Sequence, residues 1–159
     1  LLSIHVNATP SSKPEGVEVY VLSEQVARKE GLQIVSREEG AAPSPLRSGL
    51  GAVMHGLHLA GSQRASVDLA HLVVGALAES TGAPSRGVRH ASFAVLKEAR
   101  MPAIVIEVGY LSNPNEAARL ARAEYRQLIA GAIAGSVREW LQASESRRKA
   151  PRAASLSAP

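Results

Sequence analysis

The sequence predicts an α/β domain whose β-sheet is covered by helices on both faces, and two observations support this. Residues 103–110, AIVIEVGY, are apolar on both faces except at Glu107, which is typical of a strand buried between two layers. Strand-like and helical patterns also alternate along the chain, as they do in α/β folds. With 159 residues, 45% of them hydrophobic, the chain is long enough for one such domain.

Two strands are predicted near the start of the chain, over residues 1–7 and 17–23. The first stretch is largely apolar, and in the second a valine occupies every other position. The polar segment 9–16, TPSSKPEG, predicts a turn between them.

The middle of the chain predicts helices and one loop. A short helix capped by Ser23 is expected over residues 24–30. Residues 37–49 contain enough Pro and Gly to be a loop. Two further helices are predicted, over residues 50–59 and 66–81, because their apolar residues recur at helical spacing.

The segment before the buried strand is less regular. Residues 81–87, TGAPSRG, predict a turn, and residues 88–99 predict a loop with a short strand. Together they would lead the chain from the second of the two central helices into the buried strand.

The clearest helix start in the sequence lies at Asn113. This residue suits an N-cap, Pro114 suits the first helical position, and Glu116 stands at the third. A final helix is predicted over residues 124–142, whose apolar side chains recur on one face and would cover the sheet.

The formal net charge of +4 is concentrated at the end of the chain. Residues 144–159 carry four basic side chains and one glutamate, 4 − 1 = +3, which leaves 4 − 3 = +1 for the rest. This composition predicts a basic, disordered tail over residues 143–159. Aromatic residues make up only 3% of the chain, so few rings could stack on bases, and we expect no nucleic-acid partner.

The sequence contains no cysteine, so it offers neither disulfides nor thiolate metal sites. No apolar stretch is long enough to predict a membrane span. The chain begins at Leu1 within a predicted strand, so we expect it to be a piece of a longer protein, and the absence of a signal peptide from these residues then says little about location.

Glu107 is the most informative single residue. A carboxylate within an apolar strand is costly to bury unless it is paired, protonated or close to a cation. It could lie at the strand end and reach water, or pair with an arginine such as Arg86 or Arg89. It could equally be a functional carboxylate.

His5 has the same two interpretations, as a hydrogen-bonded structural residue or as a ligand. Ligand sites in α/β sheets lie at the carboxyl ends of strands, where His5 and Glu107 would meet if their strands are parallel neighbours. His55 and His58 are three residues apart on a predicted helix, but without a nearby carboxylate they indicate surface histidines rather than a metal site. No phosphate-binding glycine loop or nucleophile elbow supports phosphoryl transfer or serine hydrolysis.

Four segments together resemble the zinc-dependent N-acetylmuramoyl-L-alanine amidases of the bacterial cell wall. They are SIHVNA at residues 3–8, SVDLAHLVVGAL at 66–77, residues 86–120 with PAIVIEVGYLSN, and the final helix. The resemblance runs in order from residue 1 to about residue 142. It implies a mixed, mainly parallel sheet flanked by helices, and hydrolysis of the amide between N-acetylmuramic acid and the L-alanine of the stem peptide.

The resemblance also implies roles for two residues. His5 matches a zinc ligand of the family, and Glu107 matches its catalytic carboxylate, the general base for a zinc-bound water. A dication nearby would offset the cost of burying Glu107.

The sequence departs from the family pattern at its start. The family's first zinc histidine and a zinc-binding glutamate would precede Leu1, and one histidine cannot hold a catalytic zinc. We therefore expect residues 1–142 to be the C-terminal part of an amidase domain that lacks the family's first strands. The resemblance implies Zn²⁺ with its remaining ligands upstream of Leu1, an active parent protein, and no activity in this chain alone.

Glu38 and Glu39 are candidate regulatory residues. In some family members a segment at this place covers the zinc and offers it a glutamate; an ordinary surface loop is the alternative for this short, Pro-rich segment. The resemblance implies peptidoglycan as substrate, an activator protein as a further candidate partner, and a location in the periplasm or at the cell surface. A non-catalytic peptidoglycan-binding remnant of the same fold is the alternative function, and a polyanion binder is the third.

Overall fold

The computed structural model describes residues 1–23 and 61–149 in full and the backbone of residues 45–60. The predicted helix over residues 24–30 and the candidate regulatory residues Glu38 and Glu39 lie outside the described residues. So do the side chains of His55 and His58.

The described residues form four strands and four helices. The strands are β1 (Leu2–Asn7), β2 (Val17–Leu22), β3 (Ser85–Ala91) and β4 (Ile104–Tyr110). The helices are α1 (Pro45–Thr81), α2 (Ala94–Lys97), α3 (Pro114–Ala121) and α4 (Ala123–Lys149).

The strands form one mixed sheet in the order β1-β4-β2-β3. The β1–β4 and β2–β3 pairs are parallel, whereas β2 runs antiparallel to β4. Two of the three pairings are therefore parallel, which confirms the predicted mixed, mainly parallel sheet. The buried strand β4 lies between β1 and β2, so the two strands nearest the start of the chain are not neighbours.

The main core lies between one face of the sheet and the helices α1 and α4. Three valines of β2 on this face, Val17, Val19 and Val21, are completely buried. Ile104 and Ile106 of β4 are equally buried beside them. Burial of each such side chain stabilises the fold by about 1.5–3 kcal/mol, so this layer fixes which face of each strand points inward.

The opposite face of the sheet carries a smaller apolar cluster. Leu96 of α2 packs there with Val105 of β4, and Tyr20 of β2 lies against them. The Phe93 ring meets the Tyr20 ring edge-on, with 5.1 Å between the ring centres. Helices thus lie on both faces of the sheet, as predicted, but this second layer is thin and leaves room beside it for polar side chains.

Helix α1 corrects two predictions. It is one helix of 37 residues, not two helices with a break between residues 59 and 66, and it includes residues 45–49, which were predicted as loop. Pro45 suits the first position of a helix, and no proline follows within it. Interior glycines such as Gly61 cost only about 1 kcal/mol each and do not end a helix whose neighbours favour it.

The segment between α1 and β4 also differs from the prediction. Residues 85–87, predicted as a turn, begin strand β3, and residues 94–97, predicted as loop or strand, form the short helix α2. Gly87 adopts a positive φ of 78° within the strand, and the pairing register with β2 shifts nearby. The strand signal was hidden because an irregular glycine-containing edge strand has the composition of a turn.

The last helix, α4, extends to Lys149, so residues 143–149 of the predicted tail are helical. Residues 150–159 lie outside the described residues, and the division of the chain at residue 142 stays a prediction. Among the described helices, none combines the length and the hydropathy that crossing a membrane would require.

The predicted start of α3 is confirmed in detail. The Asn113 side-chain oxygen accepts hydrogen bonds from the backbone N–H groups of Asn115 at 3.0 Å and Glu116 at 3.3 Å. Pro114 occupies the first turn. This cap begins the helix three residues after the end of β4 and so fixes the chain just beyond Glu107.

We expect Asn113→Ala to lower the free energy of unfolding by about 1 kcal/mol, because two N–H groups at the helix start lose their acceptor. Urea unfolding of the two proteins measures the difference. Asn115→Ala is the matched control, since Asn115 is exposed and contributes only its backbone to the cap. Equal losses in the two variants would contradict a capping role for Asn113.

Candidate functional site

Three ionisable side chains form a row across the face of the sheet that carries α2. His5 of β1 is the direct partner of Glu107 in the parallel β1–β4 pair, and Glu18 of β2 lies opposite Glu107 in the antiparallel pair. Direct partners project from the same face of a sheet, and neighbouring strands are about 4.8 Å apart. The strands of His5 and Glu107 are therefore parallel neighbours, the condition under which the two residues were predicted to meet.

Glu107 is a half-buried carboxyl group with a free oxygen. Its Oε2 atom is buried and has no hydrogen-bond partner among the described residues. Burial raises the pKa of Glu107 above its ordinary value; the neighbouring His5 opposes this shift, and the charge of Glu18 adds to it. A buried oxygen without a partner is unfavourable unless it binds a ligand, a water molecule or a proton. Glu107 is thus a group prepared to accept a proton.

His5 lies exposed at the edge strand, and its imidazole is held by a neighbour. The Nε2 atom is 2.7 Å from the hydroxyl oxygen of Ser3, which lies two residues earlier on the same face of β1. The hydrogen bond orients the ring next to Glu107 and leaves the imidazole open to solvent.

Glu18 is the residue of this row that sequence reasoning did not select. Its side chain is only 1% exposed. Three uncharged donors reach its Oε1 atom: the Tyr110 hydroxyl at 2.8 Å, the Tyr20 hydroxyl at 3.0 Å and the Asn7 amide at 3.0 Å. Unlike Glu107, this carboxylate is fully satisfied by protein groups.

Two arginines of β3 complete the environment of Glu18. The Nε atoms of Arg86 and Arg89 lie 3.3 Å and 2.9 Å from its Oε2 atom. Arginine pairing was one interpretation of Glu107, but the structure places both guanidinium groups on Glu18 instead. Burial alone would raise the pKa of Glu18; the tyrosine hydrogen bonds and the arginine charges outweigh it, so the pKa lies below its ordinary value.

The two tyrosines remain protonated donors. Burial, with the hydrogen bond to Glu18, raises the pKa of Tyr110 to about 12 and also raises the pKa of Tyr20. Both hydroxyls therefore keep their protons at neutral pH and hold Glu18 in its charged form. Glu18 is therefore ionised and held in place by its donors, whereas the pKa of Glu107 is raised. Opposite pKa shifts in two neighbouring carboxyl groups are typical of functional sites.

A second buried carboxylate fixes the loops around the row. Glu116 of α3 is 2% exposed and accepts hydrogen bonds from the backbone N–H of Tyr110 at 2.7 Å and of Gly16 at 3.0 Å. It therefore joins the end of β4 to the start of β2. In the sequence Glu116 indicated only helix capping, because its partners lie on other elements.

Glu18 could have been found from the sequence by the argument used for Glu107. Its strand alternates, so Glu18 falls on the face opposite the three valines, and a sheet covered on both faces leaves a carboxylate there in need of partners. The signal was weaker because alternation also suits an ordinary solvent-facing residue. Among the described residues, no group of three or more histidines, cysteines and carboxylates is arranged to hold a metal.

Comparison with known proteins adds a family to this geometry. The sequence pattern of the family described as N-acetylmuramoyl-L-alanine amidase matches residues 1–139. The amidase LytC of Bacillus subtilis is 30% identical over 132 residues, which are 83% of this chain and 19% of LytC. The amidase AmiC of Neisseria meningitidis is 27% identical over 153 residues, 92% of this chain and 37% of AmiC. The chain thus spans less than two fifths of either relative.

Solved structures agree with this comparison. The catalytic domain of CwlV, an N-acetylmuramoyl-L-alanine amidase from Bacillus (Paenibacillus) polymyxa, has 28% identity and a TM-score of 0.58; the match covers 89% of this chain and 56% of that one. The amidase AmiC2 of Nostoc punctiforme has 25% identity, a TM-score of 0.58 and corresponding coverages of 89% and 57%. The described fold is therefore shared with a little more than half of each solved chain.

Proposed function

The chain belongs to the N-acetylmuramoyl-L-alanine amidase family, and on that premise we propose that the protein hydrolyses the amide between N-acetylmuramic acid and the L-alanine of the stem peptide, with Glu107 as general base. The observation that carries this proposal is the buried, unpartnered Oε2 atom of Glu107 beside His5. A general base needs a free oxygen near the reacting atoms, and Glu107 is the carboxylate in the row that has one.

Zinc is the cofactor that we propose, and the residues present fit part of its site. When bound, zinc polarises an amide carbonyl and lowers the pKa of a water. His5 offers an exposed imidazole, a common zinc ligand, and the hydrogen bond between its Nε2 atom and the Ser3 hydroxyl would help to orient it. Catalytic zinc sites use three protein ligands. We therefore propose that further ligands come from outside the described residues.

Glu107 would carry the proton through the reaction. It accepts the proton of the attacking water at its free oxygen and returns it to the nitrogen of L-alanine as the amide bond breaks. In the metal-free protein burial raises the pKa of Glu107, and a raised pKa helps a carboxyl group to keep a proton until it is passed on. Glu18 cannot replace Glu107 in this role, since both of its oxygens are occupied by donors.

The proposed substrate is a cell-wall polymer, so we propose a location in the periplasm or at the cell surface. The need for an activator protein and the regulatory role of Glu38 or Glu39 stay predictions.

Incubation of the full-length protein, with the segment expected upstream of Leu1, with purified peptidoglycan tests the proposed function; for residues 1–159 alone we predict no cleavage. We expect new L-alanine amino termini without new reducing sugar ends, loss of the activity in a chelator, and recovery with added zinc. His5→Ala should lower the zinc content measured after dialysis, a readout that does not depend on activity, whereas His71→Ala, at an exposed position of α1, should not. Peptidoglycan binding without cleavage, unchanged by chelator, would instead support the non-catalytic binding protein.

A further inference from the structure

The described residues anchor Arg86 and Arg89 in a way that leaves some of their donor groups without an acceptor among those residues. Each approaches the same Glu18 oxygen through Nε, the inner nitrogen of its guanidinium group. The arginine side chains are 34% and 48% exposed, whereas the Glu18 side chain is 1% exposed. The buried Glu18 carboxylate therefore contacts the inner nitrogen of both guanidinium groups, and the outer parts of these groups are exposed to solvent.

The outer edges differ between the two arginines. One terminal nitrogen of Arg86 lies 3.5 Å from the Glu15 carbonyl oxygen, and its guanidinium group lies 5.4 Å from the centre of the Tyr110 ring. For Arg89, no described residue accepts a hydrogen bond from the terminal nitrogens. Within the described part of the chain, Arg86 is thus the more constrained partner, and the terminal nitrogens of Arg89 are without an acceptor.

The two arginines carry more positive charge than the carboxylate that holds them. Both guanidinium groups and the Glu18 carboxylate together have one net positive charge, and Glu107 is the neighbouring acidic group on β4. A planar guanidinium edge matches a carboxylate with two parallel hydrogen bonds, and an edge already held in place loses little rotamer freedom on binding. The arrangement is suited to a carboxylate ligand.

The arginines lie close to the proposed reaction centre. Glu18 and Glu107 are direct partners across β2 and β4, so their Cβ atoms are about 5 Å apart. The guanidinium groups that contact Glu18 thus lie within about 10 Å of the Glu107 carboxyl group, a distance that two or three extended peptide residues span at about 3.5 Å each.

We infer that Arg89, assisted by Arg86, forms a subsite for a carboxylate on the second or third residue of the stem peptide. The inference rests on the proposed function, because it places the L-alanine amide at Glu107. It makes Arg89 a specificity residue that favours peptides with free carboxylates over peptides in which they are amidated.

Calorimetric titration with L-alanyl-γ-D-glutamyl-L-lysine tests the subsite, alongside three forms in which one or both carboxylates are carboxamides. We expect the free acid to bind about tenfold more tightly than the fully amidated peptide. Amidation of only the carboxylate that occupies the subsite should be enough to remove this preference. Arg89→Gln should abolish the preference, Arg89→Lys should keep part of it, and Arg138→Gln, on the α4 side of the sheet, should leave it intact. Equal affinities for all four peptides, or a preference that survives Arg89→Gln, would overturn the inference.

The Arg89 variants should fold, because Glu18 keeps Arg86 and three uncharged donors; matching thermal unfolding of the variants and the parent checks this. Cleavage separates the inference from the function on which it rests. A protein that prefers the free acid through Arg89 but releases no L-alanine termini would refute the proposed function alone. A protein that cleaves acidic and amidated peptidoglycan with the same KM would refute the subsite alone, whereas we expect KM to rise and kcat to change little with amidation.

Discussion

In the full-length protein, Glu107→Gln should reduce the rate of peptidoglycan cleavage by about 10²- to 10⁴-fold, the contribution typical of a general base. Glutamine has the same shape but cannot accept and return a proton, so substrate binding and the fold should be retained. Release of L-alanine amino termini measures the rate. Glu139→Gln, at an exposed position of α4, is the matched control and should retain full activity.

The same variant should have a characteristic stability profile in the absence of metal. The pKa of Glu107 is raised in the folded state, so the folded protein binds more protons than the unfolded chain as pH rises above the ordinary value of 4.5. Stability of the parent protein therefore falls as pH rises through this range, and the glutamine variant should not show that loss. Urea unfolding at pH 4 and pH 7 measures the difference.

Two results would count against the role of Glu107. If Glu107→Gln cleaved peptidoglycan at the parent rate, another residue would be the base. If the variant lost activity and also unfolded at much lower urea concentration, the lost activity would reflect structure and not proton transfer.

Features set by local sequence were the most predictable. The cap at Asn113 depends on residues within three positions, and the structure has the predicted hydrogen bonds. The meeting of His5 and Glu107 required more, namely that β1 and β4 be parallel neighbours, a condition that the sequence left open and that the structure meets. These patterns do not specify that His5 binds zinc or that Glu107 acts in catalysis, and both roles stay predictions.

Features set by partners distant in sequence were missed. The arginines were expected near a carboxylate, but the sequence does not specify whether Glu18 or Glu107 receives them, because that depends on β2 lying between β4 and β3. Helix α1 was divided because its interior glycines lower helix propensity locally, whereas packing of its described part against the sheet and α4 stabilises the whole element.

Glu18→Ala should destabilise the protein by about 3 kcal/mol, the largest effect on stability that we expect for a single side chain in the row. The loss comes mainly from the buried donors: the Tyr110 and Tyr20 hydroxyls and the Asn7 amide would lose their acceptor. The arginines contribute less, because both reach solvent, and exposed ion pairs are worth at most about 1 kcal/mol each. Glu15→Ala, at an exposed glutamate just before β2, should change stability little.

The pH dependence distinguishes loss of the carboxylate from a simple packing defect. The folded pKa of Glu18 lies below its ordinary value of 4.5, so its charge stabilises the fold above that pH, and the contribution is lost as pH falls through the folded pKa. The difference in unfolding free energy between the parent and Glu18→Ala should therefore be full at pH 7 and shrink at pH 3. A difference that stayed constant would mean that Glu18 acts through its volume, and the anchoring of Arg86 and Arg89 by its charge would lose its basis.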